Sequence, residues 1–296
     1  MTLRRLTARG ALLTLCALLL TAAGASAGTG KVPTLVFPVL GEAQYTDDFG
    51  DARAQGGHEG NDIVAPRRAL ALAAEAGRVK FHTTSARAGC MLYLEGASGT
   101  EYLYIHLNND LGDGNDNRGR CVAGVAYAKG LRSGDTVAAG EPIAYVGDSG
   151  DANGIQPHLH FEVHPGGGSA VSPYPYLRKA RRLLFAAARG STFTLALTGT
   201  VVTADGQDLA LSLEQVRSWP GGRKIRQAGQ KVAVSVPQTA SVEGIESAAA
   251  GLAFPALELL TKGVPVTVWT TPAKVTLAAQ TGAKGALAAA RVVVKP

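Results

Sequence analysis

Hydrophobic and polar residues alternate along short stretches of the first half of the chain, and clusters of Gly, Asp, Asn and Ser separate these stretches. Period-two alternation between turn-forming residues is typical of β-strands. The first part of the chain is therefore predicted to be mainly β, with strands at 34–37, 77–81, 91–94, 101–105 and 142–146.

One segment between residues 174 and 189 has a helical pattern instead. Its apolar side chains recur at three- and four-residue spacing, and Gly190 follows as a stop signal. The pattern predicts a helix that closes the first domain at residue 189, with these residues on its buried face: Leu177, Ala180, Leu184 and Ala187.

After residue 190 the pattern changes to alternating Val, Leu and Thr. This predicts a second, small β-domain over 190–296, barrel-like or sandwich-like, in which the Ala/Leu-rich stretch 244–260 contributes a helix or a loop. Its predicted strands are 192–202, 208–216, 231–236, 264–270 and 275–277. All six histidines precede residue 165, so any histidine chemistry belongs to the first domain, 28–189.

The N-terminus has the features of an export signal over residues 1–27. Three arginines precede an apolar run from Ala11 to Ala23, and small residues follow up to Ala27. The apolar run is shorter than the ~20 residues that a membrane span needs. We therefore expect a secreted protein of the cell wall or periplasm, without a stable membrane anchor.

Charge and cysteine content bear on the class of partner and on the state of the cysteines. The chain has 29 basic and 23 acidic residues, and three of the basic ones lie in the predicted signal, so nothing indicates a nucleic-acid partner. Outside the signal only Cys90 and Cys121 remain. Because disulfides persist in exported proteins, we predict a bond between them; the alternative is two buried thiols.

Two histidine-containing motifs suggest a metal site. His58 and Asp62 lie four residues apart in a glycine-rich turn, which alone is a weak signal. In the second motif, alternation over residues 158–164 places every histidine and the glutamate on one strand face: His158, His160, Glu162 and His164. Several imidazoles buried together are costly unless something such as a metal organises them.

A third motif ends at His106. Alternation along residues 101–106 predicts that Tyr102, Tyr104 and His106 share one face of a strand. The tyrosine hydroxyls would then be placed to stabilise a developing oxyanion.

Catalytic zinc sites keep three protein ligands and leave one position open. His58, Asp62 and one histidine of the His158/His160 pair would supply these ligands, and spacing alone leaves open which one. The other histidine of the pair and His106 would then transfer protons. His82 has no partner motif, so it is interpreted as a surface histidine, and His164 less firmly so.

Together the three motifs resemble those of the lysostaphin/LytM-type zinc endopeptidases of bacterial cell walls, over roughly residues 37–178. The matching elements are His-x-Gly-x-Asp at 58–62, Tyr-x-His at 104–106 and His-Leu-His-Phe-Glu at 158–162. The resemblance implies a groove on an antiparallel sheet and one Zn²⁺ bound by His58, Asp62 and His160. It also implies that His106 and His158 are the catalytic histidines and that peptidoglycan peptides are the substrate.

The expected function is therefore an exported zinc-dependent endopeptidase that hydrolyses peptide bonds in peptidoglycan, in which Glu162 orients a metal ligand from behind. The alternative is a catalytically silent protein of the same fold that binds peptidoglycan or activates another hydrolase. Such a protein would be expected to lose metal ligands, whereas all five motif residues are present here.

The segment 108–125 departs from a compact turn. It is rich in Asn, Asp and Gly, and its carboxylates offer the oxygens that calcium prefers, although the spacing does not fit an EF-hand. The favoured interpretation is a groove wall attached through Cys121.

Overall fold

The computed structural model describes residues 30–54, 56–245 and 257–295. The predicted export signal at 1–27 and part of the 244–260 stretch lie outside these residues. Within the described ranges, no helix has both the length and the apolar character that crossing a bilayer requires.

The first part of the chain is built from short strands. Their bounds are β1 (Ala52–Arg53), β2 (Gly56–Gly57), β3 (Asn61–Val64), β4 (Leu70–Leu72), β5 (Gly77–Ser85), β6 (Gly89–Gly96), β7 (Glu101–Leu107), β8 (Thr136–Val137), β9 (Pro142–Tyr145) and β10 (His158–His164).

A six-stranded antiparallel sheet positions the predicted site. Its strand order is β3-β10-β7-β6-β5-β8, so the strand with the two central histidines lies between the strands that carry Asp62 and His106. Residues from three distant parts of the sequence therefore meet on one sheet face. The other face is buried on a core that includes Leu92, Phe161 and Val163.

A second layer lies behind this core. It consists of the two-stranded sheet β4–β9 and the segment 35–40, whose side chains alternate between two cores. Ala71 faces the core beneath the large sheet, whereas Leu70 and Leu72 belong to the core of the C-terminal part. The two predicted domains thus share this layer.

The C-terminal part forms an eight-stranded sheet with the order β13-β12-β11-β16-β18-β15, in which β14 also pairs with β12 and β17 with β11. A bridge between Ser235 and Ala288 brings the end of β14 to the start of β18, as in a small barrel. Its strands are β11 (Thr192–Asp205), β12 (Asp208–Trp219), β13 (Arg223–Arg226), β14 (Lys231–Ser235), β15 (Ser241–Glu243), β16 (Pro265–Thr270), β17 (Ala273–Lys274) and β18 (Ala289–Val294). The mainly β prediction is confirmed.

The helix predicted over 174–189 is wrong beyond its first turn, because only α1 (Tyr174–Leu177) is helical. The chain then becomes extended: Arg181 donates its backbone N–H to Leu35 and accepts from Phe37. Residues 183–185 are three consecutive buried residues, which a one-sided amphipathic helix cannot provide. They pack into the core of the C-terminal part.

Two shorter predicted strands are also wrong. The segment 34–37 contributes only an isolated bridge between Val36 and Arg181. Residues 275–277 enter a helix, α2 (Leu277–Thr281), whose first turn is capped by the Thr276 hydroxyl accepting from the backbone N–H of Ala279. The threonine of this segment is therefore a helix cap, although its alternation indicated a strand.

The predicted disulfide between Cys90 and Cys121 is present. It joins β6 to the far end of the Asn/Asp-rich segment 108–125 across 31 residues of sequence. The bond therefore attaches this segment to the central sheet.

Removal of the disulfide tests its contribution to stability. Closing a loop of this length lowers the entropy of the unfolded chain, so Cys90→Ser with Cys121→Ser should lower the free energy of unfolding by about 3 to 4 kcal/mol. Denaturant titration of the wild-type protein and the double variant measures the difference. Free thiols in the unreduced protein, or equal stability of the variant, would contradict the prediction.

Candidate active site

Strand register brings the metal-binding candidates together. In the antiparallel pair of β10 and β3, His160 lies directly opposite Asp62, and on the other side of β10 it lies opposite Ile105. His58 enters from the turn after β2, which is fixed by two backbone hydrogen bonds, from Gly50 to His58 and from His58 to Asp51.

Three side-chain atoms from these residues converge. His58 Nε2 lies 2.9 Å from His160 Nδ1 and 3.2 Å from Asp62 Oδ1. His160 Nδ1 and Asp62 Oδ1 are 3.0 Å apart. Ligands of a tetrahedral zinc ion with bonds of about 2.0–2.1 Å are separated by roughly 3.3 Å. The spacing is therefore close to that of three ligands of one ion.

The hydrogen bonds behind the two rings determine which nitrogens face each other. His58 Nδ1 donates to the carbonyl oxygen of Asp48 (2.9 Å), and His160 Nε2 donates to Glu162 Oε1 (2.9 Å). The facing nitrogens, His58 Nε2 and His160 Nδ1, are then the ones left to coordinate a cation, which would take the place of any proton on them. Two ring nitrogens and a carboxylate oxygen aimed at one point favour a cation between them.

The glycine at residue 60 permits this convergence. A β-carbon there would lie 2.6 Å from the carbonyl oxygen of Phe161 and 2.8 Å from His160 Nε2. Any larger residue would displace His160 or β10. The glycine of the His-x-Gly-x-Asp element is thus a packing requirement of the site.

His106 and His158 stand beside the cluster, and the same ring nitrogen of each is held by a backbone carbonyl. His106 Nδ1 donates to the carbonyl of Ser149 and His158 Nδ1 to that of Gln156, each over 2.9 Å. Nε2 of each ring is then the nitrogen left to the cleft, and the ring centroids are 5.1 Å apart. A substrate bound in the cleft would meet two imidazole bases next to the metal ligands.

The environment of these groups sets their charge. Burial, and then the charge of His158, lowers the pKa of His106 to about 4, so His106 is neutral at neutral pH. Burial opposes ionisation of Asp62, but hydrogen bonds with His160 and His58 lower its pKa well below the usual range. The cluster thus combines a firmly ionised carboxylate with a neutral base.

The prediction that Tyr102 and Tyr104 line the site is wrong. Both are fully buried on the core face, where the Tyr104 hydroxyl bonds to the backbone of Leu72 and Ala74 and Tyr102 donates to Glu75. His106 reaches the opposite face because its φ of 58° lies in the left-handed region, which breaks the alternation of β7. Ile105 lines the cleft instead.

Sequence reasoning missed Arg53 and Asp48. Arg53 donates from the β1–β2 hairpin to Asp62 Oδ2 (2.9 Å), the oxygen that faces away from His160. Asp48 accepts from His58 through its carbonyl, and its carboxylate accepts from Asn61 and the backbone of Asp62. Both residues hold metal-binding candidates in place, and no spacing rule links them to those candidates.

His164 has a larger role than the surface position assigned to it. Glu162 accepts from His160 through Oε1 and from His164 Nε2 (2.7 Å) through Oε2, while His164 Nδ1 donates to the carbonyl of Gly168. The carboxylate behind His160 is therefore held from two sides. His82, in contrast, lies on β5 with its ring against Tyr93.

The carboxylates of the 108–125 segment bind protein donors. Asp110 accepts the backbone N–H groups of Asp116 and Asn117 and an ion pair from Arg67, which also binds Asp148 through two nitrogens at 2.6 and 2.8 Å. Asp116 accepts three further backbone N–H groups of the segment. This pattern favours a protein-held groove wall over the calcium alternative.

Replacement of Arg67 tests that anchor. The side chains of Asp110 and Asp148 are fully buried, so Arg67→Ala would leave two carboxylates without their cation and should cost about 3 to 5 kcal/mol of folding free energy. Thermal or denaturant unfolding measures the loss. Arg118→Ala is the matched control, since Arg118 lies in the same segment but is 73% exposed, and a loss as large in this variant would contradict the assignment.

A cleft of about 570 Å³ runs over the cluster. Its lining includes both candidate catalytic histidines and all three metal-binding candidates. Parts of two hairpins also line it: Arg53, Ala54 and Gly56 to Glu59 from one, and Ser85, Arg87 and Ala88 from the other. The cleft is open at the surface, as binding of an extended polymer segment requires.

Comparison with known proteins finds matches to the part of the chain that contains this site. The model of Peptidase family M23 matches residues 56–173, which contain the three metal-binding candidates and both candidate catalytic histidines. The chain is 28% identical over 156 residues to the L-Ala–D-Glu endopeptidase of Bacillus subtilis, a match covering 49% of this chain and 43% of that protein. It is 29% identical over 158 residues to the DD-carboxypeptidase/endopeptidase Mpg of Neisseria meningitidis, covering 51% and 32%. The chain thus spans less than half the length of these curated relatives.

Solved structures that match part of the chain include one described as a glycyl-glycine endopeptidase lytM from Ruminococcus gnavus (26% identity, TM-score 0.39, covering 49% of this chain and 59% of that one). Another is the catalytic domain of lysostaphin from Staphylococcus simulans (22% identity, TM-score 0.35, covering 47% and 92%). The match to the family model confirms the resemblance seen in the three motifs.

Proposed function

We propose that this chain, whose residues 56–173 form a Peptidase family M23 domain, is an exported zinc-dependent endopeptidase that cleaves peptide bonds in bacterial peptidoglycan. The observation that carries the proposal is the convergence of His58 Nε2, Asp62 Oδ1 and His160 Nδ1 beside two further imidazoles. The names of the two curated relatives, both peptidases, support the reaction class.

The donor set fits zinc. Two neutral imidazole nitrogens and one carboxylate oxygen are ligands that zinc accepts, and three protein ligands leave a position open for catalysis. Bound zinc would lower the pKa of its water to about 7, which would supply a nucleophile near neutral pH, and would polarise the scissile carbonyl. The hydrogen bonds from Asp48 and Glu162 hold the two imidazoles so that their lone pairs point inward.

His106 and His158 would then handle protons. Their Nδ1–H groups are committed to backbone carbonyls, so each offers only Nε2 to the substrate. The lowered pKa of His106 keeps it able to accept a proton at neutral pH, and the same atom could return that proton to the leaving amine. The second imidazole would stabilise charge on the carbonyl oxygen.

Zymography on purified wall material tests the proposal. We expect a clearing zone that disappears when a chelator is added and returns with Zn²⁺. A protein that binds one equivalent of zinc but clears no wall material and cleaves no stem peptide would instead support the silent binder. Mass spectrometry of released fragments identifies which bond is cut.

A further inference from the structure

The outer face of the C-terminal sheet carries both tryptophans of the chain. Trp219 ends β12 and Trp269 lies on β16, the two strands that flank β11. Strands two positions apart are separated by about 9.6 Å, yet the indole centroids are only 5.4 Å apart and the rings are tilted by 28°. The two side chains therefore lean towards each other over β11.

Strand register shows what surrounds them. One row of paired residues crosses five strands in the order Lys224, Arg217, Ala196, Trp269, Arg291. Ala196 lies between Arg217 and Trp269, where its small side chain leaves room for the indoles to meet. Trp219 lies two residues beyond Arg217 on the same face of β12, opposite Thr194.

We call Trp219, Trp269, Arg217, Lys224 and Arg291 the tryptophan face. Trp269 is 38% exposed, a large apolar surface to leave in water. The guanidinium of Arg217 lies 5.0 Å from the centre of the Trp219 ring and donates to the carbonyl of Gly222, so its position is fixed.

The charge of the tryptophan face is positive. It contains three cations, and Glu243 pairs with one of them, Arg291, at 2.5 Å. Neither Arg217 nor Lys224 forms an ion pair with another described residue, so both can meet an anionic ligand beside the exposed ring. An apolar partner helix would need a continuous apolar stripe, whereas this face combines an indole with cations on both sides.

A sugar polymer with carboxylates fits this combination. The face of a pyranose ring presents weakly positive C–H groups that pack on the negative face of an indole. Carboxylates along the polymer would pair with the arginine and lysine next to it. Glycan strands of peptidoglycan have both features wherever the stem peptide has been removed, since every second sugar then carries a free lactyl carboxylate.

We propose that the tryptophan face binds the glycan strand of peptidoglycan, with a sugar ring against Trp269 and carboxylates at Arg217 and Lys224. The choice of polymer rests on the proposed function, but the contacts do not involve the M23 cleft. The C-terminal part would then hold the enzyme on the polymer whose peptides it cuts.

Tryptophan fluorescence of the wild-type chain tests the proposal directly, because both tryptophans lie on this face. Glycan strands freed of peptides by an amidase should produce a saturable change in intensity or emission wavelength, and stem peptides alone should produce none. The absence of a change with glycan strands would overturn the proposal. An equal change with stem peptides or with single-stranded DNA would also overturn it, because the face would then not select the glycan.

Variants provide the second test, through cosedimentation with purified wall glycan from which an amidase has removed the stem peptides, in the presence of a chelator. We expect Trp269→Ala to raise the dissociation constant about tenfold and Trp269→Tyr to restore most of the binding. Lys262→Ala, which removes an exposed cation before the start of β16, should have no effect. Unchanged binding by Trp269→Ala would overturn the proposal.

Hydrolysis of a soluble stem peptide separates this proposal from the proposed function. Trp269→Ala should cleave that peptide at the wild-type rate, since the face lies outside the M23 domain. Glycan binding by a chain that cleaves nothing would refute the peptidase and leave this inference standing. Normal cleavage with no glycan-dependent fluorescence change would refute this inference and leave the proposed peptidase standing.

Discussion

Alanine at His58, Asp62 or His160 should remove bound zinc and peptidase activity together. Each variant deletes one of three converging donor atoms, and two protein ligands are too few to hold a catalytic zinc ion. Activity should fall to that of the chelated wild type, and metal content should fall from one equivalent to near zero. Metal analysis of purified variants beside a peptide-cleavage assay provides both values.

His82→Ala is the control for the ligand variants. His82 lies on the central sheet but contacts Tyr93 and not the cluster, so this variant should keep both zinc and activity. The ligand assignment would be wrong if His160→Ala kept its zinc while His158→Ala lost it. In that case the two histidines of β10 would have exchanged roles.

Alanine at His106 or His158 should separate metal binding from catalysis. Both rings are oriented by backbone carbonyls and contribute no atom to the three-donor cluster, so each variant should keep close to one zinc. Loss of proton transfer or of charge stabilisation typically costs a factor of about a hundred or more in rate. The expected result is therefore near-normal metal content with activity reduced by at least that factor.

The double variant of His106 and His158 is a further check. If the two imidazoles act in one proton-transfer sequence, the double variant should be little slower than either single variant, because effects within one catalytic unit are not additive. Full activity in His106→Ala would exclude a catalytic role for His106. Unfolding measurements on each variant distinguish lost chemistry from lost structure.

The fold of the first part was predictable wherever alternation and turn residues agree. Strands β5, β6 and β7 contain the predicted segments 77–81, 91–94 and 101–105, and β9 covers all but the last residue of the predicted segment 142–146. The helix expected to residue 189 failed because apolar residues at helical spacing also occur in an extended chain that is buried on both sides. Residues 183–185 lie between two layers, and that environment depends on tertiary packing.

The candidate site shows the same limit at the level of single residues. Alternation correctly placed His158, His160 and Glu162 on one face of β10, since that strand is regular along its length. It failed on β7, where the left-handed φ of His106 turns the imidazole to the face opposite Tyr104. Periodicity cannot report a single residue that leaves the strand conformation.

Residues that support the cluster were the hardest to foresee. Arg53, Asp48 and His164 hold Asp62, His58 and Glu162 respectively, and each does so through a contact set by tertiary structure. An arginine or aspartate near a motif is too common to be informative by itself. Only the hydrogen bond that it makes identifies its role.

The layer shared by the two cores limits whether the C-terminal part can be removed or exchanged. Leu70, Leu72 and residues 183–185 are covered by the C-terminal strands, so a chain ending near residue 190 would expose a broad apolar surface. A module joined through a flexible linker could be exchanged without disturbing the rest of a chain. Here such an exchange would require a new set of matching side chains on the layer. The catalytic part and its C-terminal sheet are therefore expected to be inherited as one unit.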